Sequence, residues 1–389
     1  MNTNLVKITR IGTGQPSPAV RSGYNKSMMV RKSTNLHETK ARDWYDSLID
    51  FCRVGSLLCL VILGPNSPLQ ADQRQDNGNR SQNVDLTSER KVLREMIIEG
   101  RAQTALDTIQ SLRTDHPSDS GLALLEGEAY YALDQMTAAV SAFKTGLKLD
   151  PGKQGKLFNL GRALQALGQD QEALQVFNQM QKQPEVSFRT RGLFGAGLSK
   201  QNLGDDQAAR LLFQQSLQLD PTFDRGRYRL ALLLMRAQPE QALAMFDEIL
   251  MRDPLHHGSA YNRALALRNL KRTEQAQKAM NHYRKILEGR SRISLLRERW
   301  AMNVQDIELI LELGRVHREL GAIAEALRWY SRGGIAAPSD PRPAVESVRT
   351  LLEAGRRADA IELVRRLQDS PAAGPARALL DKQNRSKEP

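Results

Sequence analysis

Cysteine and aromatic residues are both scarce. Two cysteines, Cys52 and Cys59, stand in 389 residues, too few for a disulfide-rich scaffold or a four-thiolate zinc site. The rest of the chain has no thiol, which is compatible with an oxidising compartment. Aromatics make up 5% of the chain, so a core has to be built mainly from Leu and Ala. No apolar run is long enough to suggest several membrane spans, each of which needs about 20 residues. Catalytic signatures are missing as well. Gly12-Thr13-Gly14 lacks the rest of a phosphate-cradling loop, and none of His37, His116, His256, His257, His282 and His317 lies in a His-Glu-x-x-His arrangement. Ser and Asp occur, but not in a nucleophile elbow. His256-His257 follows Pro254 and reads as a surface turn rather than a metal site. Acidic residues read as helix-surface groups paired at i to i+4. No catalytic residue, metal or cofactor is expected.

What is present begins with an address. Residues 1–53 hold nine Lys/Arg against four Asp/Glu, a net +5, and show no periodic apolar pattern; this region reads as disordered. Val54–Gly64 follows, eleven residues without a charge. That is short for a bilayer span of about 20 but fits the apolar region of a signal peptide, about 7–15. Ala71 is an acceptable small residue before a cleavage point; Leu69, two earlier, is a poor one. Residues 1–71 are therefore expected to be a basic region carrying a signal peptide or membrane anchor, with Met28 or Met29 as alternative starts. Residues 72–85 form a polar linker. A lipoprotein signal is not indicated, since Ser56-Leu57-Leu58 precede Cys59. The competing reading, a buried helix of a globular domain, conflicts with the polar flanks. The expectation is export or tethering, with a cytoplasmic location as the alternative. Of the net charge of +12, residues 1–71 supply +5 and the other 318 supply +7. The body is mildly basic.

From Leu86 onward the chain repeats. A small residue followed four later by a large apolar one recurs at Ala105, Ala139, Ala173, Ala209, Ala242, Ala276, Ala326 and Ala360, with spacings of 34, 34, 36, 33, 34, 50 and 34. A second column lies 11 or 12 residues earlier: Leu93, Gly127, Gly161, Gly197, Ala231, Ala264, Gly314 and Val348. Gly100, Gly168, Gly204, Gly321 and Gly355 fall seven after that column, and a proline such as Pro117, Pro151 or Pro221 closes most units. Between these marks the apolar residues recur three and four apart, as in amphipathic helices. Each unit is thus a helical pair. Its small residues let two backbones approach, and its large one is expected to fill the gap towards the next unit. Glycine ends the first helix through a left-handed backbone, and proline stops the second.

This pattern resembles the tetratricopeptide repeat. Gly127, Tyr130, Ala139, Phe143 and Pro151 form the best unit; Leu160, Gly161, Gly168, Ala173 and Phe177 a second; Leu313, Gly314, Gly321, Ala326, Tyr330 and Pro338 a third. The family's frequent early tryptophan is missing, with Leu157 and Leu193 in its place. The resemblance covers about residues 86–374. It implies an all-α solenoid, a right-handed superhelix of helix-turn-helix repeats, with six units in 86–290, two in 307–374, and 375–389 as a polar tail.

The phase breaks once. The step from Ala276 to Ala326 is 50 residues, and Arg284–Trp300 across it holds six basic and two acidic residues. Residues 291–306 read as a basic helical insertion that extends the preceding helix or adds one. Either it docks an acidic partner, or it is a solvated helix whose Ile293, Leu296 and Trp300 pack on a neighbour.

Phe158, Phe194, Tyr228 and Tyr261 are spaced by 36, 34 and 33 residues, so they occupy equivalent places in four units. The resemblance implies that this place faces a concave groove. Arg162, Arg191, Arg225 and Arg229 lie nearby on the same helices, as do Arg263 and Arg268. Rings interleaved with guanidinium groups could hold an extended peptide; alternatively the rings pack between adjacent first helices. If they are groove contacts, replacing Phe194 and Tyr228 with Ala abolishes capture and leaves folding unchanged. The family's Lys/Asn arrangement for a C-terminal carboxylate is not reproduced. The expectation is a non-enzymatic scaffold that binds a protein or peptide. A cytoplasmic nucleic-acid binder or regulatory subunit, and a structural spacer in an envelope assembly, are the alternatives. The diffuse charge argues against nucleic acid, and the only membrane contact the sequence offers is through residues 54–64.

Overall fold

The computed structural model of the chain describes residues 86–385. The address segment, both cysteines and the whole linker 72–85 lie outside them. Among the described residues all regular structure is helical. In chain order the α-helices are α1 Thr87–Ile98, α2 Ala102–Asp115, α3 Ser120–Ala132, α4 Met136–Leu149, α5 Leu157–Ala166, α6 Asp170–Gln181, α7 Val186–Asn202, α8 Asp206–Leu219 and α9 Asp224–Leu234. They continue as α10 Pro239–Arg252, α11 His257–Asn269, α12 Thr273–Met302, α13 Ile307–Glu319, α14 Ile323–Ala336, α15 Arg342–Glu353, α16 Arg357–Arg366 and α17 Ala373–Arg385. Stacked hairpins of this kind are an all-α solenoid. The chain divides after Ala163, inside α5, into two compact units.

The turn glycines do what their spacing implies. Gly100, Gly168, Gly204, Gly321 and Gly355 all have φ between +73° and +84°, the left-handed region that costs glycine least. Asp134 and Lys271 take the same conformation, at φ +60° and +59°, in two units that lack the glycine. The unit at α9–α10 closes differently: Pro239 starts the second helix at its first turn, where its fixed φ suits a helix and its missing N–H costs nothing.

In the first unit, α1 and α2 pack on α3 through Leu93, Ile97, Ile109, Leu122 and Leu125. A Cβ on Gly127 would stand 2.6 Å from the Phe143 ring, so the ring fills space within its own hairpin, not only towards the next unit as the pattern suggested. In the second unit Gly197 and Phe213 repeat the arrangement, with 2.5 Å between the added Cβ and the ring. Phe177 does reach forward, over Gly195 of α7. Close approach to glycine is what allows a whole phenyl group to be buried on a helix flank.

Two acidic residues depart from the surface reading. Glu126 and Glu128 of α3 are buried and pair with Arg113 in one case and with Lys156 and Arg94 in the other. The partners come from helices α2 and α1 and from the 3₁₀ turn before α5, not from the same helix at i to i+4. Burying a carboxylate is tolerable here because cations converge on it.

The break is bridged by a single helix. α12 runs 30 residues, fusing the second helix of the sixth pair with the basic insertion, and Ile293 and Leu296 on it pack against Leu309, Leu313 and Val316 of α13 and Trp329 of α14. His317 of α13 is 2% exposed, and neither ring nitrogen finds a hydrogen-bond partner among the described residues. Burial, and then the charge of Arg297, hold its pKa down at about 4 against a pull from Glu325. At the C-terminal end, the expected polar tail 375–389 is corrected: α17 occupies Ala373–Arg385 and packs Ala376, Leu379 and Leu380 onto Val348, Leu351 and Val364. The last hairpin would otherwise expose an apolar flank, which a closing helix covers.

Candidate functional site

Of the eight residues proposed from sequence to contact a ligand, Phe158 and Arg162 lie in the first compact unit and the other six in the second. The six are carried by first helices: Arg191 and Phe194 by α7, Arg225, Tyr228 and Arg229 by α9, Tyr261 by α11.

The ring column is not uniform. Phe158 and Phe194 are each 6% exposed. Phe194 is held between Phe223, edge-on at 5.2 Å, and Phe213 at 5.9 Å. These two phenylalanines are packing residues, a correction to their reading as groove contacts. A purely apolar ring gains most when wholly desolvated, and nothing polar on it opposes burial. Tyrosine differs, because its hydroxyl needs a partner or water. Tyr228 is half-buried; its ring packs on Phe246 and His256 at 6.0 and 5.1 Å, and its Oη accepts a hydrogen bond of 3.0 Å from Asn262 Nδ2 of α11. Tyr261, next to Asn262, is 40% exposed and leans on Tyr283 of α12 at 5.2 Å. Only the tyrosine end of the column reaches the surface.

The charge around it is positive. Arg162, Arg191, Arg225, Arg229 and Arg263 are half-buried and Arg268 is exposed. Asp247 takes Arg263, Glu248 takes Arg227 at 2.8 Å, and Asp224 takes Arg252. These pairs use up acids of the α9–α10 hairpin. Arg191 and Arg268 make no ion pair among the described residues. Beside Tyr283, desolvation and then the charges of Arg263 and Lys285 lower the pKa of His282, as a cationic surface requires.

His256 and His257 stack at 6.4 Å. His256 Nδ1 accepts the Ser259 backbone N–H at 3.0 Å and so caps α11, a role normally given to Ser, Asp or Asn. No group of three potential metal ligands occurs among the described residues, and no helix there is long and apolar enough to cross a membrane. Sequence reasoning missed the buried Glu128 cluster and the pairing of Trp300 with Trp329. The first could have been suspected from two glutamates flanking Gly127 inside an otherwise apolar helix. The second carried no local signal, because the tryptophans sit on different helices.

Fold and site together define a helical-repeat protein. Residues 124–186 match the tetratricopeptide repeat family model, and the same kind of helical hairpin recurs through the described residues. No curated protein matches it. Similar solved structures include PilW, a type IV pilus biogenesis factor, at 18% identity and TM-score 0.46, covering 50% of this chain and 91% of that one. YrrB, described as a tetratricopeptide protein with an unusual peptide-binding site, is 15% identical with TM-score 0.35, covering 46% and 91%. The Cut9–Hcn1 hetero-tetramer of the APC/C is 15% identical with TM-score 0.40; the match covers 69% of this chain and 49% of that one. Repeat arrays of this type serve in general as protein-interaction scaffolds rather than as enzymes.

Proposed function

We propose that the protein is an interaction scaffold, exported or membrane-tethered through residues 54–64, that holds a peptide or protein segment on the first helices of its second unit. One observation carries the reading: Tyr261 of α11 stands exposed next to Asn262, which binds half-buried Tyr228 of α9, while Arg268 of α11 and Arg191 of α7 have no acidic partner among the described residues. A ring of two torsions offers contact area at low entropic cost, and unpaired guanidinium groups donate hydrogen bonds to carboxylates or backbone carbonyls. Phe194 then acts beneath this surface, setting the spacing of its first helices. Arg225 and Arg229 flank it.

A photo-crosslinking residue placed at Tyr261 in the full-length chain tests the assignment, with Met251 on the second helix α10, 75% exposed, as control. Polypeptide adducts enriched at position 261 over 251 support the site; equal yields remove it. N-terminal sequencing of the mature protein tests the compartment. A chain beginning after Ala71 supports export; one beginning at Met1 or Met28 in the cytosol overturns it.

A further inference from the structure

The break in the repeat creates a second surface that a groove-binding role does not use. Where α12 ends, Trp300 and Trp329 meet edge to face, 5.1 Å apart at 87°. Arg332 of α14 lies over both indoles, its Cζ 4.7 Å from the Trp329 ring centre and 5.4 Å from that of Trp300. Arg297 approaches Trp329 as well, at 5.9 Å. Neither arginine forms a salt bridge among the described residues. Glu325 pairs with Arg328 while its charge also acts on Arg297, Glu298 accepts from the Ser294 hydroxyl, Asp306 accepts the Leu309 N–H, and Asp340 pairs with Arg342. Two large apolar side chains are exposed close by in sequence, Met302 at 88%, two residues after Trp300, and Ile335 at 78%, three after Arg332. Trp300 Nε1 donates to the Val304 carbonyl at 3.1 Å, fixing the link that follows α12. Ile335 lies one turn beyond Arg332, beside Ala336, which packs against the Trp300 cluster.

We propose that this patch docks an acidic segment of another protein, with carboxylates placed on Arg297 and Arg332 and an apolar side chain placed between Met302 and Ile335. A guanidinium stacked on an indole keeps its N–H edge free and has already lost much of its rotamer freedom, so a carboxylate can pair with it at reduced entropic cost. Two like charges drawn onto one aromatic pair call for an anion; the pKa of Arg297 is lowered by desolvation and further by Arg332, against an opposing pull from Glu325. A second copy of this chain docked symmetrically would set these arginines against their equivalents. Nucleic acid would need open ring faces for stacking, and Arg332 lies over both indoles.

The chain has three tryptophans, so Trp44→Phe in the full-length protein leaves Trp300 and Trp329 as the emitters. The probe is a Trp-free peptide alternating Glu with Leu, compared with its Gln-Leu counterpart and with oligo-dT. The expected result is a saturable emission change with the acidic peptide, weakened at least about tenfold in the Gln-Leu peptide and in Arg297→Gln/Arg332→Gln. Should that double variant fail to fold, Ile335→Glu, whose side chain is exposed, is expected to give the same loss with unchanged melting. No response to the Glu-Leu peptide, an equal response to the Gln-Leu peptide, undiminished binding by the arginine variant, or preference for oligo-dT would overturn the proposal. So would self-association in sedimentation that Arg332→Gln abolishes.

Discussion

Within the second unit the regular hairpins and the break use aromatic residues in opposite ways. Phe213 and Phe246, four residues after their column alanines, are completely buried, and Phe213 rests on the bare backbone of Gly197. At the break Trp300 is half-buried, and two arginines approach the indole pair from outside. The difference follows from what opposes each ring. A glycine opposite leaves a phenyl-sized recess that excludes water, so the ring becomes core. Without a following repeat in phase, α12 overruns its hairpin, and its last ring is closed over by long, charged side chains instead. The ring column repeats the contrast on a smaller scale, from Phe194 inside to Tyr261 outside.

The largest effect expected from breaking this contrast is on Phe213 and Phe194. Truncating either to Ala should cost about 3–5 kcal/mol in denaturant unfolding, as for other buried phenylalanines. Phe194→Ala is therefore a folding variant, not the silent binding variant that its place in the column suggests. Next comes pH. His317 titrates near 4 when folded and near 6.5 when unfolded, so the unfolded chain binds the extra proton first. Its contribution is intact above about pH 6.5 and lost as pH falls towards 4, in total about 3 kcal/mol. Urea titrations between pH 7 and 5 should show a slope that His317→Gln flattens; an unchanged slope would place the titrating group elsewhere. Arg332→Gln should have a smaller effect, about 0.5–1 kcal/mol for exposed cation–π contacts, measurable as a red shift and a slight fall in Tm. Tyr261→Ala should change stability least, within about 0.5 kcal/mol as for other surface positions, while lowering crosslinking yield from neighbouring positions of the proposed site. If its melting falls as far as that of Phe194→Ala, the distinction between inner and outer rungs is wrong.

Much of the architecture was legible before any coordinates. Alanine, glycine and proline mark close approach, left-handed turns and helix ends by backbone chemistry alone, and the five turn glycines take the conformation their positions imply. The break was visible as 50 residues where 34 were due. Exposure was not visible. Phe194 and Tyr261 occupy equivalent places in their units, but Phe223, from the start of the next hairpin, covers Phe194, whereas Tyr261 leans only on Tyr283 of its own hairpin and stays exposed. Glu128 reads as a surface acid until Arg94 and Lys156 are brought to it.

The sequence by itself determined that the chain folds into paired helices at a regular spacing, because turn and helix signals are properties of a few consecutive residues. Which rings are core, which acids are buried, and that Arg332 should lie over two indoles from different helices were decided only when the hairpins stacked. Burial and charge pairing belong to surfaces in contact, and in this chain groups as distant in sequence as Leu255 and Arg290 meet.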